Sequence, residues 1–117
     1  MKTDIFTVLV SHNRPDLLWR TVKSYTETKD DGCELLIVDN YSGDETVALL
    51  EKIEDMALAA IEYLPENLYP GAATNHGWKM ANLGARYLHR SDNDIEYLPG
   101  RGDGGRATFQ VQEMLGQ

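Results

Sequence analysis

The amino-acid sequence predicts an α/β domain of three layers, with a mainly parallel sheet packed between helices. Three observations carry that expectation. Apolar runs of strand length alternate with segments of helical period, strand first and strand last, which favours parallel pairing with right-handed crossovers. The first run, Ile5-Phe6-Thr7-Val8-Leu9-Val10, is nearly all apolar and rich in β-branched residues, the pattern of a central strand covered on both faces. A length of 117 residues with a hydrophobic share of 42% is enough for one compact domain with a single core.

The first strand stops at Ser11-His12-Asn13-Arg14. Pro15 then suits the first turn of a helix, because it has no amide hydrogen to satisfy and its φ is fixed. Asp16 favours the positive end of the helix dipole, and Leu18, Val22 and Tyr25 recur at helical spacing, so this helix is expected to end near Thr28. Asp30-Asp31-Gly32 marks a turn before a second strand over residues 34–39. Ser42 and Glu45 have capping-box spacing, and Val47, Leu50 and Ile53 give the following helix its apolar face. Residues 60–64 read as the third strand, closed by Pro65. A third helix is expected over residues 72–83, with Gly84 as its stop, and a fourth strand over residues 86–89. Past Pro99 the composition turns to glycine and charge. The domain is therefore expected to occupy residues 1–99, with a glycine-rich loop and a short amphipathic terminal helix in residues 100–117.

Composition excludes several classes. The net charge is −8, and 11 scattered Lys and Arg residues are a poor match for nucleic acid, whose recognition needs clustered cations. Any phosphate ligand needs extra positive charge locally. No apolar run reaches the roughly 18 to 20 residues of a membrane span, and the start lacks a secretory pattern, so a cytoplasmic location is expected. Cys33 is the sole cysteine, which rules out an intrachain disulfide and a thiolate metal cluster; it reads as a small residue at a strand entrance. A GxGxxG fingerprint after the first strand and a Walker A loop are both absent, which counts against a Rossmann dehydrogenase and a P-loop NTPase.

In parallel sheets ligands sit beyond the carboxyl ends of the strands. Three polar clusters fall there: Ser11-His12-Asn13-Arg14, Asp39-Asn40-Tyr41-Ser42 and Ser91-Asp92-Asn93-Asp94. They are expected to converge on one edge. Asp92 and Asp94, one residue apart, can both offer oxygens to Mg²⁺ or Mn²⁺, which would also neutralise a diphosphate that so acidic a chain repels; the alternative is a solvated turn. Asp39 could accept from a base imide or a ribose hydroxyl, or cap the following turn. His12 could lie flat against a base or be structural, and Arg14 could reach a phosphate or pair with Asp16. Gly71, among small residues at a helix start, would let free amides approach a ligand; the alternative for this segment is close packing of helix on sheet.

Four stretches in this order now bear comparison with a known family: V-L-V-S-H-N-R-P-D-L-L (residues 8–18), L-L-I-V-D-N-Y-S-G-D-E-T (35–46), E-N-L-Y-P-G-A-A-T-N-H-G (66–77) and S-D-N-D (91–94). Together they resemble the family 2 glycosyltransferases of the GT-A fold, over about residues 5–99. The resemblance implies transfer of a hexose, with inversion, from a nucleotide-diphospho-sugar, UDP being the expected carrier, with Mn²⁺ or Mg²⁺ as cofactor. By position it implies that His12 packs on the base, that Asp39 hydrogen-bonds it, and that Asn75 is the asparagine of the N-x-G-type segment. Asp92 and Asp94 correspond to the D-x-D acids, the first near ribose or sugar and the last on the metal.

Departures from the pattern shape the expectation. Tyr69 stands where the family usually has glycine, and His89-Arg90-Ser91 is more polar than the usual strand before D-x-D. Family members continue well past D-x-D with an acceptor site and a catalytic acid, whereas 23 residues follow Asp94 in this sequence. Of the later carboxylates, Glu96 reads as a surface residue and Asp103 lies in the flexible loop; no base is assigned, Glu113 included. The expected protein is thus a short transferase lacking most of the acceptor half, its acceptor unidentified and its site completed by a homo-oligomer. The alternative is a non-catalytic nucleotide-sugar-binding module or the donor half of a split transferase. A phosphoacceptor receiver is disfavoured, since Ser11-His12-Asn13 stands where that fold has its acidic pair.

Overall fold

A computed structural model describes residues 5–29, 31–80, 85–99 and 109–113. The elements in order are β1 (Ile5–Ser11), α1 (Pro15–Thr28), β2 (Cys33–Asp39), α2 (Asp44–Asp55), β3 (Ala60–Tyr63), α3 (Pro70–Trp78), β4 (Tyr87–Asp92), β5 (Ile95–Pro99) and β6 (Phe109–Glu113). Four strands form a parallel sheet in the order β3-β2-β1-β4. Central β1 pairs with β2 from Ile5 opposite Cys33 to Ser11 opposite Asp39, and with β4 from Ile5 opposite Tyr87 to Val10 opposite Asp92. β5 and β6 form a separate antiparallel pair.

Strand alternation builds the three expected layers. One face sends Leu9, Leu35 and Ile37 against Leu18, Val22 and Tyr25 of α1 and Leu50 and Ile53 of α2, with Ile95 and Tyr97 of β5 completing the cluster. The other face sends Phe6, Val8, Leu36 and Val38 against Leu64 and Ala73, the latter on α3. Each fully buried aliphatic side chain contributes roughly 1.5–3 kcal/mol. α3 comes close to the sheet because it carries Gly77: a Cβ there would lie 2.7 Å from Val8 Cγ1 and 2.8 Å from Val38 Cγ2. Close packing therefore explains Gly77. At Gly71 an added Cβ would meet nothing within 4 Å.

Several sequence expectations are corrected. α2 is not closed by a capping box: its N-cap is Gly43, without a side-chain cap, because the Ser42 hydroxyl is committed elsewhere. α3 starts earlier, with Pro70 in its first turn, and ends at Trp78 rather than near Leu83; Gly84, the expected stop, is outside the described residues. β4 runs on through Ser91 and Asp92, since its ladder with β1 continues to Val10 and overrides the polar composition. Within residues 107–115, expected as a terminal helix, the structure has strand β6, whose backbone pairs with β5. Residues 100–108, holding the glycine-rich loop, are outside the described set. Cys33 is buried at the start of β2, as expected. Among the described residues no helix is long and apolar enough to cross a membrane.

Buried polar groups fasten β5 to α1 and to β4. Thr21 Oγ1 donates to the Ile95 carbonyl at 2.6 Å, and the Tyr97 amide donates to Ser24 Oγ at 2.9 Å. The Tyr97 hydroxyl donates to Ser91 Oγ at 2.6 Å, and burial pushes its pKa up to about 12, so it stays a donor at all ordinary pH. A second chain runs from the Tyr25 hydroxyl to Thr7 Oγ1 and on to His89 Nδ1, 3.2 Å at each step, and burial lowers the His89 pKa. These bonds fix β4 just before the D-x-D segment.

Candidate active site

The chain leaves β1 toward β2 on one side, while β4 returns on the other, so the sheet reverses its order between β1 and β4. At such a switch the loops beyond the strand ends part and leave a crevice. A cavity of about 520 Å³ lies there. Val10, His12 and Arg14 line it from the end of β1 and the loop after it, Asn40 from just past β2, Arg90 and Asp92 from β4, and Asn93 from the turn after β4. Residues 67–70 close the remaining wall. All three polar clusters reach this rim, each with at least one residue in the wall.

The rim is held in an uncommon backbone shape. Asn13, Arg14 and Tyr41 have φ of 57°, 56° and 63°, a left-handed conformation that costs a non-glycine residue roughly 1–3 kcal/mol. A set of side chains offsets that cost by joining the two loops. Ser42 Oγ donates to Asp39 Oδ1 at 2.6 Å and accepts the Asn13 amide at 2.8 Å. Asp39 Oδ2 accepts the Ser42 amide at 3.1 Å, and Asn13 Oδ1 accepts the Gly43 amide at 2.9 Å. His12 Nδ1 donates to the Asn40 carbonyl at 2.8 Å, which turns the exposed ring edge toward the cavity. Asn40, only 3% exposed, uses both ends of its amide on Leu68: Nδ2 donates to the carbonyl and Oδ1 accepts the amide hydrogen, each at 2.7 Å. That bond pair ties residues 67–70 to the end of β2.

The sequence-predicted residues divide into two groups. His12, Arg14 and Asp92 meet in the cavity wall. Arg14 makes no ion pair with Asp16 or with any other described carboxylate. Asp39 is 2% exposed, has both oxygens engaged by Ser42 and does not line the cavity, which is the turn-capping arrangement. Gly71 and Asn75 are exposed on α3, outside the wall, and half-buried Asp94 sits in the β4–β5 turn, also outside it. The wall also holds polar residues that the sequence reading assigns no role, Asn40 and Arg90 among them. Arg90 lies two positions before Asp92, and strand alternation puts both on one face once β4 is known to extend that far. Arg90 Nη2 stands 3.7 Å from Asp92 Oδ1.

No group of three or more His, Cys, Asp and Glu side chains able to hold a metal occurs among the described residues. The exposed carboxylate of Asp92, with Asp94 near in sequence, nonetheless fits Mg²⁺ or Mn²⁺. Such ions are commonly held by one or two carboxylates, with substrate phosphates and water filling the other positions.

With this geometry in view, similarities to known proteins are informative. Residues 7–101 match the model of the family described as Glycosyl transferase family 2. The succinoglycan biosynthesis protein ExoO of Rhizobium meliloti (strain 1021) is 31% identical over 98 residues, which make up 84% of this chain but 27% of that protein. Staphylococcus aureus TarS 1–349, in complex with UDP-GlcNAc, superposes with a TM-score of 0.72 at 19% identity over 81% of this chain and 28% of that one. GalNAc-T7 with UDP, GalNAc and Mn²⁺ gives 0.70 at 24% identity over 82% and 19%. The mannosyltransferase PcManGT of Pyrobaculum calidifontis, with GDP-Man and Mn²⁺, gives 0.66 at 17% over 83% and 29%. The chain thus spans about a quarter of the length of the curated relative it matches, and its fold is of the GT-A type. By its sequence match over most of its length, the chain belongs to glycosyl transferase family 2.

Proposed function

We propose that the cavity at the carboxyl ends of β1 and β4 takes a nucleotide-diphospho-sugar, of the UDP type, for transfer of its hexose to an acceptor hydroxyl. The observation that carries this reading is the meeting of Arg14, Arg90, Asp92, His12 and Asn40 around one cavity of about 520 Å³. That volume suits a small-molecule ligand. A chain of net charge −8 here presents two guanidinium groups against one carboxylate, the local cationic excess that a diphosphate requires.

In this reading the His12 ring, fixed through Nδ1, lies against the base, and Arg14 faces the phosphates. Asp39 acts indirectly, by holding Ser42 and through it the Asn13–Arg14 turn. Asp92 and Asp94 would hold Mn²⁺ or Mg²⁺, which supplies charge neutralisation to the departing diphosphate. The acceptor oxygen attacks the anomeric carbon on the face opposite the diphosphate, so the configuration inverts, and a general base must take the hydroxyl proton. A non-catalytic donor-binding unit is the second reading. It is favoured by one observation: among the described residues, Asp92 is the only carboxylate in the wall, and it faces Arg90.

Calorimetric titration with UDP, GDP and their nucleosides, with Mn²⁺ and in EDTA, tests the ligand class. Mn²⁺ is expected to tighten the diphosphates and leave the nucleosides unchanged; equal metal response for both would sink the reading. Mn²⁺-dependent hydrolysis or transfer of a UDP-sugar, lost in Asp94→Ala, separates the transferase from the binding unit.

A further inference from the structure

We propose that Arg90 is a specificity-determining residue for the diphosphate, an anion-binding guanidinium that Asp92 holds in reserve and releases when ligand or metal arrives. The inference rests on the reading of the cavity as a nucleoside-diphosphate site and goes beyond it, because it makes part of the phosphate recognition independent of metal.

Register places the two residues. On β4, Arg90 pairs across from Val8 and Asp92 from Val10, so both project from the same face of the sheet, toward the side that carries α3. The alternating side chains of the same strand, His89 and Ser91, bond to Thr7 and Tyr97 and so face the opposite layer. With β4 anchored from that layer, Arg90 and Asp92 are delivered together to the cavity wall.

Their contact is loose. At 3.7 Å it lies beyond hydrogen-bonding distance, and the two side chains are 50% and 62% exposed. Exposed pairs of this kind contribute little, so exchanging Asp92 for a phosphate costs little. A guanidinium bonds two phosphate oxygens at once, which a carboxylate at 3.7 Å does not exploit. Arg14, with no carboxylate partner among the described residues, stands in the same wall. When a cation occupies Asp92, both guanidinium groups are free for the pyrophosphate.

The test is titration of the wild type, Arg90→Ala, Arg90→Lys and Asp92→Asn with UDP, uridine and inorganic pyrophosphate, in EDTA and in Mn²⁺. Thermal melting provides the folding control. In EDTA the wild type is expected to prefer UDP over uridine by on the order of tenfold, Arg90→Ala to lose most of that preference with uridine binding unchanged, Arg14 alone supplying the remainder, and Arg90→Lys to keep more of it than Arg90→Ala. Asp92→Asn has the opposite sign: it frees Arg90, so metal-free UDP and pyrophosphate bind more tightly while the Mn²⁺ enhancement is lost. A preference for UDP as large in Arg90→Ala as in the wild type in EDTA, or one that the wild type shows only with Mn²⁺, overturns the role of Arg90 and leaves the cavity reading standing. Failure of uridine and UDP to bind the wild type under either condition overturns both.

Discussion

Ser42 and Asp39 form a closed pair at the end of β2: the serine donates its hydroxyl to one carboxylate oxygen at 2.6 Å and its amide to the other at 3.1 Å. The same hydroxyl accepts the Asn13 amide from the loop after β1. One small side chain thus joins two strand ends and supports the left-handed turn at Asn13 and Arg14. Asp39, which the family resemblance implies for base recognition, is here buried at the end of β2 and outside the cavity wall.

Ser42→Ala removes both side-chain bonds and leaves Asp39 Oδ1 buried without that donor. We expect a loss of about 1–3 kcal/mol in urea unfolding. The Arg14 turn loosens with it, so UDP affinity falls too. Unchanged stability would show that the junction contributes nothing.

Asn40→Asp keeps the shape of the side chain but sets an oxygen against the Leu68 carbonyl, where Nδ2 now donates at 2.7 Å. The change is expected to destabilise by about 1–3 kcal/mol and to raise amide exchange at Leu68, read by hydrogen–deuterium exchange. Protection at Leu68 equal to wild type would contradict the assigned bond.

The two glycines of α3 should respond differently. Gly77→Ala places a methyl within 2.8 Å of Val8 and Val38, whose branched side chains have little freedom to move, so a loss of about 1–3 kcal/mol is expected. Gly71→Ala meets open space and gains helix propensity, with an expected gain of up to about 1 kcal/mol. Thermal melts of the pair decide this, and similar shifts for both would refute the packing argument.

Burial lowers the His89 pKa, so the folded state binds a proton less readily than the unfolded chain, whose histidine titrates near 6.5. Stability from this group is complete above that value and declines as pH falls below it, because the unfolded state then binds more protons. Urea midpoints at about pH 7.5 and 5.5 should differ in that direction, and the difference should shrink in His89→Gln. A midpoint that rises on acidification runs against it.

Much of this architecture is legible along the chain. The apolar run from Ile5, Pro15 with Asp16, and the spacing of Leu18, Val22 and Tyr25 specify β1 and α1, because strand and helix periods and helix-end chemistry act between near neighbours. The same local rules place polar clusters at successive strand ends. What they do not specify is which polar group meets which. Ser42 has capping-box spacing with Glu45, yet Asp39 and Asn13 engage its hydroxyl, one of them 29 residues away. Ser91 and Asp92 read as loop, yet the β1 ladder and the Tyr97 hydroxyl draw them into β4. Pairing with β5 makes part of the expected terminal helix a strand. Arg90 enters the site only because β4 lies beside β1 at the reversal of strand order. Tertiary structure decided these points because a buried polar group or an open strand edge must find a partner in space, and distance along the chain does not limit where that partner lies.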